Sequence, residues 1–154
     1  MMTIDPVDAI MHVMPQAFDP AFGEAWNRRQ VADALLLSNT HCLLVGQTAD
    51  EEIRDPEDVL GFAMSRQALD EEELLLIAVI PEHRRRGLGK RLLRDLFDTA
   101  TSRGTRRIFL EMRDGNPAVR LYLEQGFEQI GRRRDYYRSA SGGPIDAVTF
   151  AKNL

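Results

Sequence analysis

The sequence predicts a single-domain α/β (α+β) fold in which helices flank a mixed central sheet. Three observations support this prediction. The 154 residues are 44% hydrophobic and 29% charged, which is ordinary for one globular domain with a sizeable core. Segments with the two-residue period of strands alternate with segments of helical period. No internal repeat or low-complexity stretch interrupts them, so we expect residues 1–154 to form one domain.

The first part of the chain predicts two helices followed by a hairpin. Asp5-Pro6 is typical of an N-cap followed by proline at the first helical position, and apolar residues at helical spacing follow. Asp19-Pro20 ends this helix. The elements predicted here are helices 6–17 and 24–37, strands 41–47 and 59–66, and a hairpin loop at 48–58.

Residues 73–91 predict a strand, a basic loop and a helix. The short apolar run 74–80 is typical of a strand covered on both faces, and Pro81 ends it. Gly87 and Gly89 lack Cβ atoms, so backbone N–H groups there can approach a ligand closely, and the following helix adds its dipole. The implied ligand is an anion, with pyrophosphate favoured; a solvated basic helix turn is the alternative.

The remaining elements continue the alternation of strands and helices. Gly104 suits the left-handed position that ends the helix beginning after Gly87. The elements predicted after it are strand 107–112, a turn at 114–117, a short helix to Gly126, strands 127–137 and 145–152, and a loop at 139–144.

Three polar residues in this second half are candidates for chemistry. Strand alternation places Glu111 opposite Leu110 and Met112, so its carboxylate can face a cleft, or pair with a nearby arginine such as Arg113 or Arg107. Asn116 begins a helix, where its amide either caps the helix or binds a ligand amide. Tyr122 lies within that helix, six residues after Asn116, where it can be a core aromatic residue with a satisfied hydroxyl. The three candidate residues are therefore Glu111, Asn116 and Tyr122.

Composition excludes several classes of protein. A net charge of −4 argues against a general nucleic-acid binder, which would be basic overall. No apolar stretch has the length of a membrane span, and no cluster of possible ligands has the spacing of a metal site. Cys42, the only cysteine, is expected to be buried packing. We expect a cytoplasmic protein without metal, membrane or direct nucleic-acid contacts; the oligomeric state is open, with a monomer favoured.

Two motifs resemble those of one enzyme family. The pattern Arg84-x-x-Gly87-x-Gly89 resembles the acetyl-coenzyme A signature of the GCN5-related N-acetyltransferases, the GNAT family. The run 110–127, LEMRDGNPAVRLYLEQGF, resembles the RimI-type branch of that family, the ribosomal-protein alanine N-acetyltransferases. Further matches are Ile77-Ala78-Val79-x-Pro81 and Arg133-Arg134-Asp135-Tyr136-Tyr137 with Asp146-Ala147.

The chain departs from the pattern of that branch at three places. Phe150 stands where methionine is usual, and residues 2–4 barely supply the strand expected before the first helix. The segment 19–26 departs from the commoner short loop. The resemblance therefore covers about 71–150 and leaves the first part of the chain less determined.

The resemblance implies a GNAT-like fold, acetyl-coenzyme A as co-substrate, and transfer to the α-amine of a protein N-terminus. The implied acceptor is the N-terminal alanine of a basic small-subunit ribosomal protein, attacked directly in a ternary complex. By the same resemblance Glu111 is the general base, Tyr122 is the general acid, and Asn116 binds the pantetheine arm. The implied cofactor-binding residues on the strand and loop are Ile77, Ala78, Val79, Arg84, Arg85, Arg86, Gly87, Leu88, Gly89 and Lys90.

Two alternatives use the same cofactor. The acceptor can instead be a lysine side chain or a small-molecule amine, or the protein can be a sensor that binds acyl-coenzyme A without turnover. Two further expectations concern the acceptor. Tyr136 and Tyr137 alternate along a strand, so at most one should face the cleft, and the acidic run 70–73 is either solvated or attracts a basic peptide.

Overall fold

The computed structural model describes residues 4–48, 52–138 and 142–154. The order of its helices and strands is ααββ-β-α-β-α-ββ, as predicted. The helices are α1 (Pro6–Ala17), α2 (Arg28–Leu35), α3 (Leu88–Ser102) and α4 (Val119–Glu124). The strands are β1 (Thr40–Val45), β2 (Gly61–Ala68), β3 (Glu71–Val79), β4 (Arg107–Arg113), β5 (Glu128–Arg138) and β6 (Pro144–Asn153). Single 3₁₀ turns lie at Pro20–Phe22, Pro56–Asp58 and Pro81–His83.

Parts of three sequence predictions lie outside the described residues. They are residues 2 and 3 of the weak first strand predicted at 2–4, residues 49–51 of the predicted hairpin loop 48–58, and residues 139–141 of the predicted loop 139–144.

The six strands form one mixed sheet in the order β1-β2-β3-β4-β6-β5. Strands β3 and β4 run parallel, and each of the other neighbouring pairs is antiparallel. The parallel pairing joins only three positions, from Glu71 opposite Arg107 to Glu73 opposite Phe109. Beyond them β3 continues to Val79 and β4 to Arg113 without pairing to each other. The two strands thus separate toward their carboxyl ends and leave an opening in the centre of the sheet.

Helix α3 carries the strongest amphipathic pattern and fixes the loop that precedes it. Leu92 and Leu93 are fully buried, and complete burial of such side chains stabilises a fold by about 1.5–3 kcal/mol each. Arg103 caps the helix, and Gly104 follows with φ +88°, in agreement with the predicted left-handed position. Because α3 is anchored this firmly, its N-terminus is held beside the end of β3.

Helix α2 begins later than its apolar pattern predicts. Asn27 and Gln30 form a capping box in which each side chain accepts a hydrogen bond from the other residue's backbone N–H at 2.8 Å. The helix therefore starts at Arg28, and the predicted start at residue 24 is wrong. The preceding turn is capped by Asp19 and ends at Gly23, with φ +60°. Glu24 consequently lies in the connection before α2, outside the helix.

The acidic run at the start of β3 is only partly solvated, because Glu72 is buried while Asp70 is exposed and Glu71 and Glu73 are half-buried. Glu72 is fully buried at the end of β3 remote from the opening. Its carboxylate accepts hydrogen bonds from Ser65 at 2.5 Å, Arg103 at 2.7 Å and Thr105 at 3.0 Å. The flanking glutamates pair with arginines, Glu71 with Arg107 at 3.6 Å and Glu73 with Arg66 at 3.2 Å. The run ties β2, β3 and the α3–β4 connection together.

Candidate active site

The opening between β3 and β4 exposes one backbone edge of β3. Ile77, Ala78 and Val79 pair with β2 on their other edge, opposite Ala63, Phe62 and Gly61. A Cβ atom at Gly61 would lie 2.8 Å from the Ala78 carbonyl, so glycine permits this close approach. Because β4 has diverged, backbone groups of residues 77–79 on the open edge are available to a ligand. These are the residues that the sequence assigned to the cofactor on β3.

The loop from Arg84 to Lys90 joins this edge to an uncapped helix N-terminus. Gly87 is the N-cap of α3 with φ +79°, and no side chain caps the helix there, whereas Asp5 caps α1. The first N–H groups of a helix lack intrahelical partners, and with the helix dipole they favour an anion. Arg85, Arg86 and Lys90 are exposed around this turn. The loop thus has the donors and charge that a pyrophosphate requires.

Two residues of the loop have structural roles that the sequence did not indicate. A Cβ atom at Gly89 would lie 3.0 Å from the Leu121 side chain, so Gly89 allows α3 to pack closely against α4. Arg84 donates hydrogen bonds to the carbonyls of Val79 at 3.1 Å and Ala17 at 2.8 Å. Its guanidinium bridges the end of β3 to the end of α1.

Glu111 lies on the partly exposed face of β4, as strand alternation predicts. Its side chain is 19% exposed and forms a bidentate ion pair with Arg133, with Arg133 Nε 2.9 Å from Oε2 and a terminal nitrogen 2.7 Å from Oε1. The predicted partners were wrong, because Arg113 pairs with Glu24 and Arg107 with Glu71. The hydrogen bonds to Glu111 raise the pKa of the Arg133 guanidinium, which stays charged.

A bulge in β5 places two tyrosines beside this ion pair. Pairing with β6 is irregular between Arg133 and Tyr137, and Asp135 has φ +56°. Asp146 accepts hydrogen bonds from the Asp135 backbone N–H and from the Arg132 side chain. Both hydrogen bonds, the first more than the second, lower the pKa of the Asp146 carboxyl. The ring centroids of Tyr136 and Tyr137 lie 5.1 Å apart.

The bulge interrupts the regular alternation on which the expectation of at most one cleft-facing tyrosine rests. Tyr136 is 53% exposed and lies under the Arg133 guanidinium, 4.1 Å from it. Burial, followed by the negative charges of Glu111 and Glu24, raises the pKa of the Tyr137 phenol. Both rings therefore belong to the surroundings of Glu111.

Tyr122 is buried in α4 with its ring edge-to-face on Phe127, at a centroid distance of 5.6 Å. Burial and the nearby charge of Glu24 raise the pKa of its phenol well above the ordinary value. The hydroxyl stays protonated at neutral pH and can donate. Asn116 Oδ1 accepts a hydrogen bond from Ala118 N at 2.9 Å in the turn before α4. The helix begins at Val119 with Ala118 as its N-cap and has no side-chain cap, so Asn116 is not its capping residue.

Sequence reasoning missed Glu24, which reaches this site from the α1–α2 connection. Its carboxylate accepts a hydrogen bond from Arg113 Nε at 3.2 Å, and the two side chains are 21% and 15% exposed. Arg113 also lies over the Phe22 ring, 3.7 Å from its centroid. The available signal was the departure of segment 19–26 from the family pattern, which marked the segment without indicating its role.

Comparison with known proteins identifies the family of this arrangement. The model of the acetyltransferase (GNAT) family matches residues 8–127. The chain belongs to the GNAT family. The fold and the acetyl-coenzyme A signature recognised in the sequence are those of this family, and its members use acetyl-coenzyme A.

Individual relatives match about 60% of the chain. It is 38% identical over 93 residues to the ribosomal protein bS18-alanine N-acetyltransferase of Haemophilus influenzae, covering 60% of this chain and 64% of the relative. The Salmonella typhimurium enzyme of that name is 43% identical over 92 residues, covering 59% and 62%. These matches span less than two thirds of each relative. The crystal structure of the ribosomal-protein-S18-alanine N-acetyltransferase from Escherichia coli superposes with a TM-score of 0.82 at 29% identity, covering 99% of this chain and 92% of that one.

The described residues lack two further kinds of feature. No group of three or more His, Cys, Asp or Glu side chains within 4–48, 52–138 and 142–154 is arranged to hold a metal ion. None of the helices in those ranges has the length and hydrophobicity that crossing a bilayer requires.

Proposed function

We propose that this GNAT protein transfers an acetyl group from acetyl-coenzyme A to the α-amine of a protein N-terminus. The proposed substrate is the N-terminal alanine of a small-subunit ribosomal protein, which fits a cytoplasmic enzyme. The observation that carries the proposal is the unpaired edge of β3 beside the uncapped start of α3, with Glu111 on the diverging strand β4. The similarity to bS18-alanine N-acetyltransferases supports this choice of acceptor.

The chain supplies a binding site that suits the co-substrate. When bound, acetyl-coenzyme A provides a thioester carbonyl that an amine can attack. N–H groups at the start of α3 and the surrounding basic side chains would hold its pyrophosphate. Backbone groups of Ile77–Val79 would hold its pantetheine arm, and the N–H of Val79 would stabilise negative charge on the carbonyl oxygen. Asn116 would contribute its amide while its carbonyl oxygen keeps the bond to Ala118.

Proton movements are assigned to Glu111 and Tyr122. The α-amine of a peptide has a pKa of about 7.7–8.0, against about 10.4 for lysine, so a weak base suffices to present it neutral near pH 7. Glu111 would accept that proton through water. Both carboxylate oxygens of Glu111 contact Arg133, but within the part of the chain that the structure describes Oε1 accepts from one donor only and keeps a lone pair for that water. Neutral Tyr122 would donate to the departing thiolate.

Free-thiol release from acetyl-coenzyme A tests the proposal directly. The acceptor is a short basic peptide with a free N-terminal alanine, and the matched control is the same peptide with a blocked N-terminus and one lysine. Release with the free peptide only is expected. Release with the blocked peptide would move the acceptor to a side chain, and cofactor binding without release would favour a sensor or a small-molecule acceptor.

A further inference from the structure

Two ion pairs lie side by side on the open face of β4. Glu111 and Arg113 are two residues apart on one strand, so their side chains leave the same face about 6–7 Å apart. Glu111 pairs with Arg133 of β5, and Arg113 pairs with Glu24 of the α1–α2 connection. A second carboxylate is thereby held beside the proposed general base.

The two carboxylates differ in the hydrogen bonds that they already accept. Both oxygens of Glu111 contact the Arg133 guanidinium. Glu24 accepts through Oε1 from a single donor, Arg113 Nε, and its Oε2 has no hydrogen-bond partner among the described residues. Glu24 therefore has an acceptor position available without breaking an existing contact.

The surroundings of Glu24 suit a cationic group. Phe22 lies beneath its partner Arg113, and the half-buried phenol of Tyr137 feels the charge of Glu24, as does the buried phenol of Tyr122. Glu24 thus pairs with a side chain on the face of β4 that also carries Glu111. An ammonium group is bound well by one carboxylate oxygen together with aromatic faces.

We propose that Glu24 binds the ammonium group of the acceptor and holds it beside Glu111 before transfer. This inference rests on the proposed function and adds a residue to its acceptor site. Arg113 is the positioning residue, because its single hydrogen bond fixes one oxygen of Glu24 and leaves the other directed to the acceptor. The free oxygen receives the incoming N–H, while Glu111 takes the proton that the amine must lose.

Measuring the binding of two peptides to the wild type and to variants separates an ammonium-binding role of Glu24 from a purely structural role. The probes are a basic hexapeptide with N-terminal alanine and its desamino analogue, in which hydrogen replaces the α-amino group. Dissociation constants are measured by calorimetry with saturating coenzyme A, which blocks turnover, for the wild type, Glu24→Gln and the exposed control Glu57→Gln. We expect Glu24→Gln to weaken the amine peptide about 10- to 100-fold, as for hydrogen bonds to charged groups, and to leave the desamino peptide unchanged.

Three results would overturn the inference. Equal weakening of both peptides would make Glu24 a structural support, and unchanged binding of both would remove it from the site. The third is a wild type that binds the two peptides equally. A separate turnover assay with the wild type tests the proposed function on its own. If the wild type acetylates the α-amine and any of these three results is found, only the role of Glu24 is rejected. Thermal unfolding and the KM for acetyl-coenzyme A should match between Glu24→Gln and the wild type.

Discussion

Replacing Tyr122 with phenylalanine removes the phenol hydroxyl and keeps the aromatic ring. The ring is buried edge-to-face on Phe127, and phenylalanine preserves that contact. If the hydroxyl donates to the leaving thiolate, its loss removes a proton donor that contributes about 10²–10⁴ in rate. In barrier height this is about 2.7–5.4 kcal/mol, at about 1.36 kcal/mol for each factor of ten. We expect kcat to fall by that factor.

The assay follows thiol release at saturating acetyl-coenzyme A and varied acceptor, with cofactor affinity measured separately. Cofactor affinity should change by less than about twofold, because the phenol would contact only the sulfur end of a large ligand held mainly by α3 and β3. Thermal unfolding of the variant should lie within about 2 °C of the wild type, since the aromatic packing survives. A kcat within about threefold of the wild type would refute the acid role.

The pH profile provides a second test of the same residue. Burial raises the pKa of Tyr122, so its neutral form persists above the ordinary tyrosine pKa of about 10. Activity that depends on neutral Tyr122 is therefore retained up to pH 10. The profile should rise through the acceptor pKa of about 7.7–8.0 and then stay level to about pH 9.5. A fall near pH 9 that is absent in Tyr122→Phe would show that this phenol ionises earlier than its surroundings imply.

Three more changes test other parts of the structure. Glu111→Gln should lower kcat by about 10²–10⁴ with cofactor binding intact, measured by thiol release; retained activity would exclude it as the base. Glu72→Ala breaks a fully buried, charged contact and should reduce the free energy of unfolding by about 3–5 kcal/mol in urea denaturation, whereas the control Glu71→Ala should cost less than about 1 kcal/mol. Arg84→Gln removes the bridge to α1 and should raise the acceptor KM roughly tenfold in initial-rate measurements; an unchanged KM would contradict the bridge.

The fold was predictable wherever its signal is local. The apolar spacing of α3 and the glycine at position 104 define both the length and the end of that helix within one stretch of sequence. The acetyl-coenzyme A motif is local as well, because a strand end, a glycine turn and a helix start follow one another. Helix α2 was misplaced at its start because apolar periodicity continues through residues that the capping box at Asn27 excludes.

Partners of charged residues were harder to predict, because they depend on distant strands. The ion-pair alternative for Glu111 named arginines of its own strand, but its partner Arg133 is 22 residues away, across β6. The acidic run at β3 suggests solvent, yet Glu72 is buried because Ser65 and Thr105 converge on it from other elements. The bulge that brings Tyr136 and Tyr137 together depends on a contact between Asp135 and Asp146, which strand alternation cannot include.

Glu24 was missed for a more general reason, because a cofactor site and an acceptor site leave different signals in a sequence. A cofactor shared by a whole family is bound by a recurring motif, whereas an acceptor that differs among its members is bound by residues outside that motif. Segment 19–26 departs from the family pattern, and its Glu24 contacts Arg113 across 89 residues. Arg84 links the cofactor loop to the helix that leads into this segment. These two contacts hold segment 19–26 and the helix before it against β4 and the loop before α3. If Glu24 binds the acceptor as proposed, substitutions in segment 19–26 should change acceptor preference and leave cofactor affinity unaltered.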